Sequence, residues 1–216
     1  AQINLWTLAE AIALFVGSDD PDFSEHARSI VSEEFTKYYF AQRAIMRKSK
    51  LGLKEWSDVN DKEIWKPLYR LLMDFDFTIF WRQLSNSNYT VESINKPDEE
   101  LVRPLQQAAY TDILEDQEGR ANVSRWIRKW LTECKSQGID RPSANMMLKS
   151  NPKYIPREWM LVKAYRDAEN EDFSTLHTLQ QLFESPYDEH TDELQQLYYR
   201  KTPTESQGKP GVAFYS

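Results

Sequence analysis

Apolar side chains recur every three or four positions along almost the whole chain, and that period commits it to helices that bury one side. Leu5, Leu8, Ala9, Ile12 and Phe15 share a face, and Gly17-Ser18-Asp19-Asp20-Pro21 ends that segment. Ser24 is placed to cap a long second helix whose apolar stripe is Ala27, Ile30, Val31, Phe35, Tyr38, Ile45 and Met46. Its basic tail, Arg43, Arg47, Lys48 and Lys50, suits the negative end of a helix dipole, and Leu51-Gly52-Leu53 closes it.

The same reading continues to the far end. Asp58 to Asp61 offers caps for a third helix carrying Ile64, Trp65, Leu68, Leu71 and Leu72. A fourth begins near Thr78, with Phe80, Trp81 and Leu84, and dissolves in Ser85-Asn86-Ser87-Asn88. Pro97 suits the first turn of the next, which buries Leu101, Leu105, Ala108 and Ala109. Gly119 and Gly138 frame another, with Val123, Trp126, Ile127, Trp130, Leu131 and Cys134 on one side. Ala144 to Lys149 makes a short helix, and Asn151-Pro152 breaks the chain. Pro156 restarts it through Trp159, Leu161, Val162 and Tyr165 to Glu169. Phe173, Leu176, Leu179, Leu182 and Phe183 form the next helix, and Asp188 to Tyr199 a last, weak one. Only Tyr89-Thr90-Val91 carries a strand signal, and there is no internal repeat. The expected fold class is all-α, with a helical domain over residues 1–200 and a flexible tail over 201–216.

Composition narrows the function classes. Seven Trp, eleven Tyr and ten Phe in 216 residues imply many large side chains buried between helices and exclude disorder along the whole length. A formal charge of -7 repels phosphate backbones and anionic lipid, so neither nucleic acid nor a membrane is an expected partner. No apolar run approaches the roughly 20 residues that cross a bilayer. A single cysteine, Cys134, forms no internal disulfide and no thiolate metal site.

Each cluster with chemical potential has a plainer structural use. The six glycines build no phosphate loop, so no nucleotide site is expected within these residues. His26, His177 and His190 fall on separate segments without metal-ligand spacing. Asp74-Phe75-Asp76-Phe77 resembles the metal-binding Asp-Phe-Gly of kinases, but Asp stands where Gly belongs, and helix capping accounts for the acidic side chains. Asp112, Glu115, Asp116 and Glu118 lack the alternating ligands and central glycine of a calcium loop and read as a solvated acidic turn. Asn88-Tyr89-Thr90 and Asn122-Val123-Ser124 match the glycosylation sequon. Arg128, Lys129 and Lys135 near Cys134 could lower its pKa, while its place on the apolar stripe points to a buried, inert thiol. No catalytic, cofactor-binding or metal-ligating residue is assigned.

The chain opens without methionine on a helix already under way and stops at Gly211-Val212-Ala213-Phe214-Tyr215-Ser216, so a piece of a longer protein is expected. Six segments in register resemble the C-terminal half of the selenoprotein O family. They are Asn4-Leu5-Trp6-Thr7-Leu8-Ala9-Glu10-Ala11, Lys50-Leu51-Gly52-Leu53, the run from Asp76 to Leu84, Asn151-Pro152-Lys153-Tyr154-Ile155-Pro156-Arg157-Glu158-Trp159, the run from Ala168 to Phe173, and Ser185-Pro186-Tyr187-Asp188-Glu189.

The resemblance implies a kinase-like fold that transfers AMP from ATP to protein hydroxyls, with ATP and magnesium held by residues upstream of Asn4. This chain would then supply the later helices of the C-lobe and a helical extension, with its own N-terminal kinase-like lobe and the substrate proteins as partners. The family's tail carries selenocysteine or cysteine before Ser-Ser, about where Ser216 stands, and its residence is mitochondrial. The alternative is a stand-alone helical module that binds a protein partner without catalysis. The two differ in whether the stripe of Leu5, Trp6, Ile12 and Phe15 faces a further lobe or is covered by the chain itself.

Overall fold

A computed structural model describes Asn4, Leu5, Thr7, Leu8 and residues 21–206, and all its regular structure is helical. The expected first helix falls mostly outside the described residues. Asn4, Leu5, Thr7 and Leu8 are helical there, and Leu5 and Leu8 are exposed. The expected covering of Trp6, Ile12 and Phe15 lies outside the described residues, as does residues 207–216 of the expected tail.

The chain separates into two units, one ending at Arg47 and the other beginning at Lys48. The first is dominated by helix α1, Pro21–Leu51, whose last turn belongs to the second. It starts at Pro21, where a missing N–H costs nothing, so Ser24 lies inside the helix instead of capping it. The expected apolar stripe is not a buried one. Val31 and Phe35 are half-buried, but Ile30, Tyr38, Ile45 and Met46 are exposed. The aromatic rings satisfy one another locally: Phe35 stacks on Tyr39 at 5.7 Å, and the Arg43 guanidinium lies 4.5 Å over the Phe40 ring.

In the second unit, helix α2, Asp58–Asn60, passes through a π-turn at Asp61–Trp65 into α3, Lys66–Leu71. Its cap is Ser57, one residue before the acidic stretch expected to serve, with Asn60 completing a reciprocal pair of hydrogen bonds. Helix α4, Phe77–Asn86, is capped by Asp76. Helix α5, Asp98–Val102, follows Pro97 and tightens into a 3-10 segment at Arg103–Ala108. Helix α6, Gln117–Ser136, fills the frame drawn by the two glycines, and all six residues of its expected stripe are buried.

Helix α7, Ala144–Ser150, is capped by Ser143; α8, Glu158–Glu169, and α9, Ser174–Glu184, form a hairpin; α10, Asp192–Tyr198, is capped by Thr191. The strand signal at Tyr89 resolves differently. Thr90 caps a 3-10 turn at Val91–Asn95, and the buried Tyr89 hydroxyl donates to the Leu101 carbonyl.

Two apolar clusters form the interior of this unit. In the larger, aromatic rings touch in sequence. Trp56 meets Trp65 edge-on at 6.1 Å, Trp65 stacks on Trp81 at 5.8 Å, and Trp81 meets Phe80 at 5.7 Å. Phe80 continues to Trp126 at 6.1 Å, Trp126 stacks on Trp130 at 5.9 Å, and Trp130 meets Tyr89 at 5.8 Å. Each such pair adds about 0.5–1.5 kcal/mol beyond the area it buries. The indole N–H groups of Trp126 and Trp130 donate to the carbonyls of Ile64 and Leu51, so neither ring leaves a buried donor unmet.

The smaller cluster joins Tyr154, Met160, Ala164, Leu179, Leu182 and Tyr198. Here α8 is rotated from expectation: it buries Met160 and Ala164, while Tyr165 is half in water. Trp159 stacks on Tyr198 of α10 at 6.3 Å.

Gly119 offers a test of which local force prevails. Replacing it by alanine in a helix should gain about 1 kcal/mol from propensity alone. Yet a Cβ there would run into the Ile113 carbonyl and side chain. The expected outcome of Gly119→Ala is a net loss of about 1–3 kcal/mol from overpacking, read as a lower urea midpoint at unchanged slope.

Candidate functional site

Four side chains that ordinarily seek water lie buried where α4 meets the segments after α7 and α9. Arg82, Asn151, Lys153 and Asp76 are each no more than 3% exposed. Burial of an ion costs several kcal/mol unless every side of it is met, so their partners define what this place can do.

Arg82 sits in the middle of α4, among Trp81, Leu84 and Ser85, all buried. One of its nitrogens, Nη1, donates to the carbonyls of Leu148 at 3.3 Å and Asn151 at 3.1 Å. The other, Nη2, donates to the Tyr187 carbonyl at 2.9 Å and to Glu189 at 2.5 Å. Glu189 also receives Lys153 at 2.5 Å, and Lys153 donates at 2.5 Å to Gln195 on α10. Burial alone would raise the Glu189 carboxyl; hydrogen bonds from Lys153 and Arg82 outweigh it and hold it below the ordinary glutamate range. The loop that carries Glu189 is pinned again by the Tyr154 hydroxyl, which donates to the Glu189 carbonyl at 3.0 Å. His190 next to it adopts φ +56, a strained value for a residue with a Cβ, and its Nε2 lies 2.9 Å from the Ser185 carbonyl.

Asn151 is the second node. Its amide nitrogen donates to the Lys50 carbonyl and the Ser85 hydroxyl, and its side-chain oxygen accepts from the Lys50 amine at 2.8 Å. Asp76 is the third. It caps α4 through the Ile79 N–H at 3.0 Å and takes a two-pronged ion pair from Arg157 at 2.5 and 2.8 Å. The Tyr110 hydroxyl donates to the same carboxylate at 3.0 Å. Burial pushes the Asp76 carboxyl up, but Arg157, the Ile79 N–H and Tyr110 together bring it below its ordinary value.

Both carboxylates are thus engaged by cations, and the arrangement is a brace joining segments up to 107 residues apart. Beside it lies a polar cavity of about 340 Å³ lined by Arg103, Gln106, Tyr110, Thr111, Arg120 and Lys201. Lys201, in the segment expected to be mobile, donates to the Ala109 carbonyl at 2.6 Å.

Other residues singled out in the sequence take structural roles. Asp76 of the kinase-like run is the cap and brace just described. Asp116 of the acidic run caps α6 through the Gly119 N–H at 2.7 Å. Among the described residues, no group of three His, Cys, Asp or Glu side chains is placed to hold a metal. His26 is exposed on α1 and His177 on α9. In the second sequon the Ser124 side chain is fully buried. Cys134 is also fully buried, and burial, with Glu133 adding to it, pushes its thiol up to about 12. The cations near it in sequence point elsewhere, Arg128 to Asp98 at 2.7 Å and Lys129 to Glu63 at 3.0 Å.

Arg82, Lys153, Arg157 and Glu189 were not singled out by the residue-level reading, which takes a helical charge as solvated. The available signal was their place inside the segments that carry the family resemblance. A family model described as protein adenylyltransferase SelO matches residues 1–184. The chain belongs to that family. It is 29% identical over 196 residues to the protein nucleotidyltransferase YdiU of Albidiferax ferrireducens, covering 87% of this chain and 34% of that protein. With the YdiU of Variovorax paradoxus it shares 30% identity over 190 residues, covering 87% and 33%. With that of Tolumonas auensis it shares 27% over 219 residues, covering all of this chain and 39% of the relative. The chain therefore spans about a third of the length of the curated relatives it matches.

The brace makes two predictions. Arg157→Met leaves Asp76 buried without its counter-ion and should cost about 3–5 kcal/mol in denaturant unfolding. The second concerns acid. The folded Asp76 carboxyl titrates below its unfolded value of about 4, so its contribution to stability is complete above that pH and is lost as pH falls through the lower folded value. Asp76→Asn should therefore be less stable than the parent at pH 7, with the difference narrowing steadily below about pH 4.

Proposed function

We propose that this chain is the helical, C-terminal part of a protein adenylyltransferase that moves AMP from ATP to protein Ser, Thr or Tyr hydroxyls. In this reading ATP and magnesium are bound upstream of Asn4, and the helices described above steady the kinase-like lobe that binds them. The observation that carries the reading is where the resemblance-bearing residues lie. Lys50, Asp76, Arg82, Asn151, Arg157 and Glu189 come from four separate family-like segments and meet in one buried brace. Such residues hold a scaffold in register; Arg157 is paired with Asp76 and Arg82 with Glu189, as suits a supporting role. The share of the relatives' length that the chain covers supports the same reading. The redox-active tail, the mitochondrial address and the substrate proteins belong to this proposal as expectations of the family.

A second reading, a binding module acting without catalysis, draws on the exposed apolar residues of α1: Ile30, Tyr38, Tyr39, Phe40 and Ile45 are each about half accessible or more. Further lobes of the same protein would cover such a surface as well as a separate partner would.

The intact mass of the native protein, measured before and after reduction, separates the two. The adenylyltransferase reading expects a mass well above 25.5 kDa and AMP transfer from magnesium-ATP by that longer protein. It also expects no magnesium-dependent ATP binding by this chain alone in calorimetry. A native mass near 25.5 kDa, or micromolar ATP binding by the chain itself, would leave the adenylyltransferase reading without support.

A further inference from the structure

The hairpin of α8 and α9 leaves a gap between its helices. Ala164 and Ala168 stand one turn apart on α8, and their two methyl groups cannot fill the space facing α9. An apolar cavity of about 300 Å³ results, walled by Leu161, Leu176 and Phe183 and floored by the buried Ala164 and Leu179. Tyr165 and Leu176 on its rim are each about half exposed. Apart from the Gln180 amide and the Tyr165 hydroxyl, its lining is apolar. A hollow of that character at the surface is a seat for apolar side chains from elsewhere.

The hairpin is also acidic. Residues 158–184 carry six Asp and Glu side chains against two basic ones, Lys163 and Arg166, and Lys163 is already taken by Asp167 at 2.6 Å. An occupant should therefore bring apolar side chains and no negative charge. Residues 207–216 meet both conditions: Lys209 is their one charged side chain, and Val212-Ala213-Phe214-Tyr215 is aliphatic and aromatic throughout. The chain also passes close by. The Arg200 guanidinium lies 5.1 Å over the ring of Trp159, in the first turn of α8 and two residues before Leu161 of the cavity. From Gln207 onward, ten residues extend about 33 Å, some three times the length of α8 between Leu161 and Ala168. Trp159 and Leu161 point to opposite sides of α8, so the segment must also round the helix, and Pro210-Gly211 is suited to that turn.

We propose that the cavity between α8 and α9 is the docking site of this chain's own segment 207–216, with Val212 and Phe214 as its anchors. In extended backbone alternate side chains share a face, so Val212 and Phe214 enter together while Ala213 and Tyr215 face outward. Lys209 then meets the acidic surface of the hairpin, and the Gln180 amide is at hand for the backbone of a segment with no strand beside it. Burial of two apolar side chains works against the ordering of ten residues, so the docked segment opens and closes without unfolding the helices beneath it. This surface and its occupant stand whether or not the adenylyltransferase reading holds.

The test is a nitroxide spin label on Ser216→Cys in the full chain, read by NMR of the isotope-labelled backbone amides. Cys134 is fully buried, so the label goes to position 216. The amide signals from Ala164 to Leu179 should be lost to broadening and return when the nitroxide is reduced. Phe214→Ser, which leaves the hairpin untouched, should restore them with the label still active. Ala168→Arg, which fills the cavity from its own wall, should do the same at an unchanged urea midpoint. Hairpin signals broadened no more than those of α6, or broadening that survives Phe214→Ser, would overturn the proposal. So would broadening in an isotope-labelled copy without nitroxide mixed with a spin-labelled one, which would give the cavity to a second copy of the chain.

Discussion

A guanidinium withdrawn from water has five N–H donors to satisfy and a charge to balance, and Arg82 imposes that demand at the centre of this structure. It lies on α4, where seven of ten residues are buried, so no rotation of the helix would release it to solvent. Its partners arrive from the end of α7, from the break at Asn151 and from the loop at Tyr187 to Glu189. The Leu148 and Asn151 carbonyls lie at the end of α7, where carbonyls lack an intrahelical partner, so one cation meets two such acceptors at once. The irregular segments after α7 and α9 are ordered by this need.

The aromatic run and the brace are two sides of the same helix. Trp81 joins the rings that pass from Trp56 to Tyr89, while the neighbouring Arg82 joins the polar network. The π-turn at Asp61–Trp65 fits this arrangement. An extra residue in the turn re-aims the following side chain, and Trp65 stacks on Trp81 where the helix would otherwise continue in α register. The Trp56 indole donates to Asp61 at 3.0 Å, holding the first residue of that turn. Apolar packing thus positions α4, and α4 positions the charge that the later segments must answer.

Period and punctuation made most of the helices legible. The glycine frame and stripe of α6, the proline before α5, and the capping use of Asp76 all follow from local chemistry that the surrounding fold does not alter. Three kinds of feature were not legible. The face that α8 buries, Met160 and Ala164, is the one that meets Leu179, Leu182 and Tyr198, and periodicity cannot say which of two apolar sides will find a partner. The cap of α2 depends on a reciprocal Ser57–Asn60 pair that an adjacent acidic cluster obscures in the sequence. Buried Arg82 and Lys153 look like ordinary surface charges, because burial is a property of what surrounds a residue. Only the segments resembling a known family pointed towards the brace, and they marked its place without its contacts.

The ion pairs of the brace are unequal in a way that bears on how the region holds together. Arg82 and Lys153 have side chains 2% exposed, yet the Glu189 side chain that serves both is 56% exposed. Two buried cations therefore depend on one carboxylate at the surface. Removing either cation leaves Glu189 with the other and with water. Removing Glu189 strands two positive charges in a medium that solvates neither, a costlier defect. Backbone carbonyls soften that cost for Arg82 and the Gln195 side chain softens it for Lys153, but none of these carries a negative charge. The strained φ of His190 beside Glu189 is tolerated because both charges fix the loop from within. Contacts spanning 36 and 107 residues thus converge on one exposed side chain, so the loop at 185–191 joins α10 to α4 as the Arg157–Asp76 pair joins the start of α8 to it.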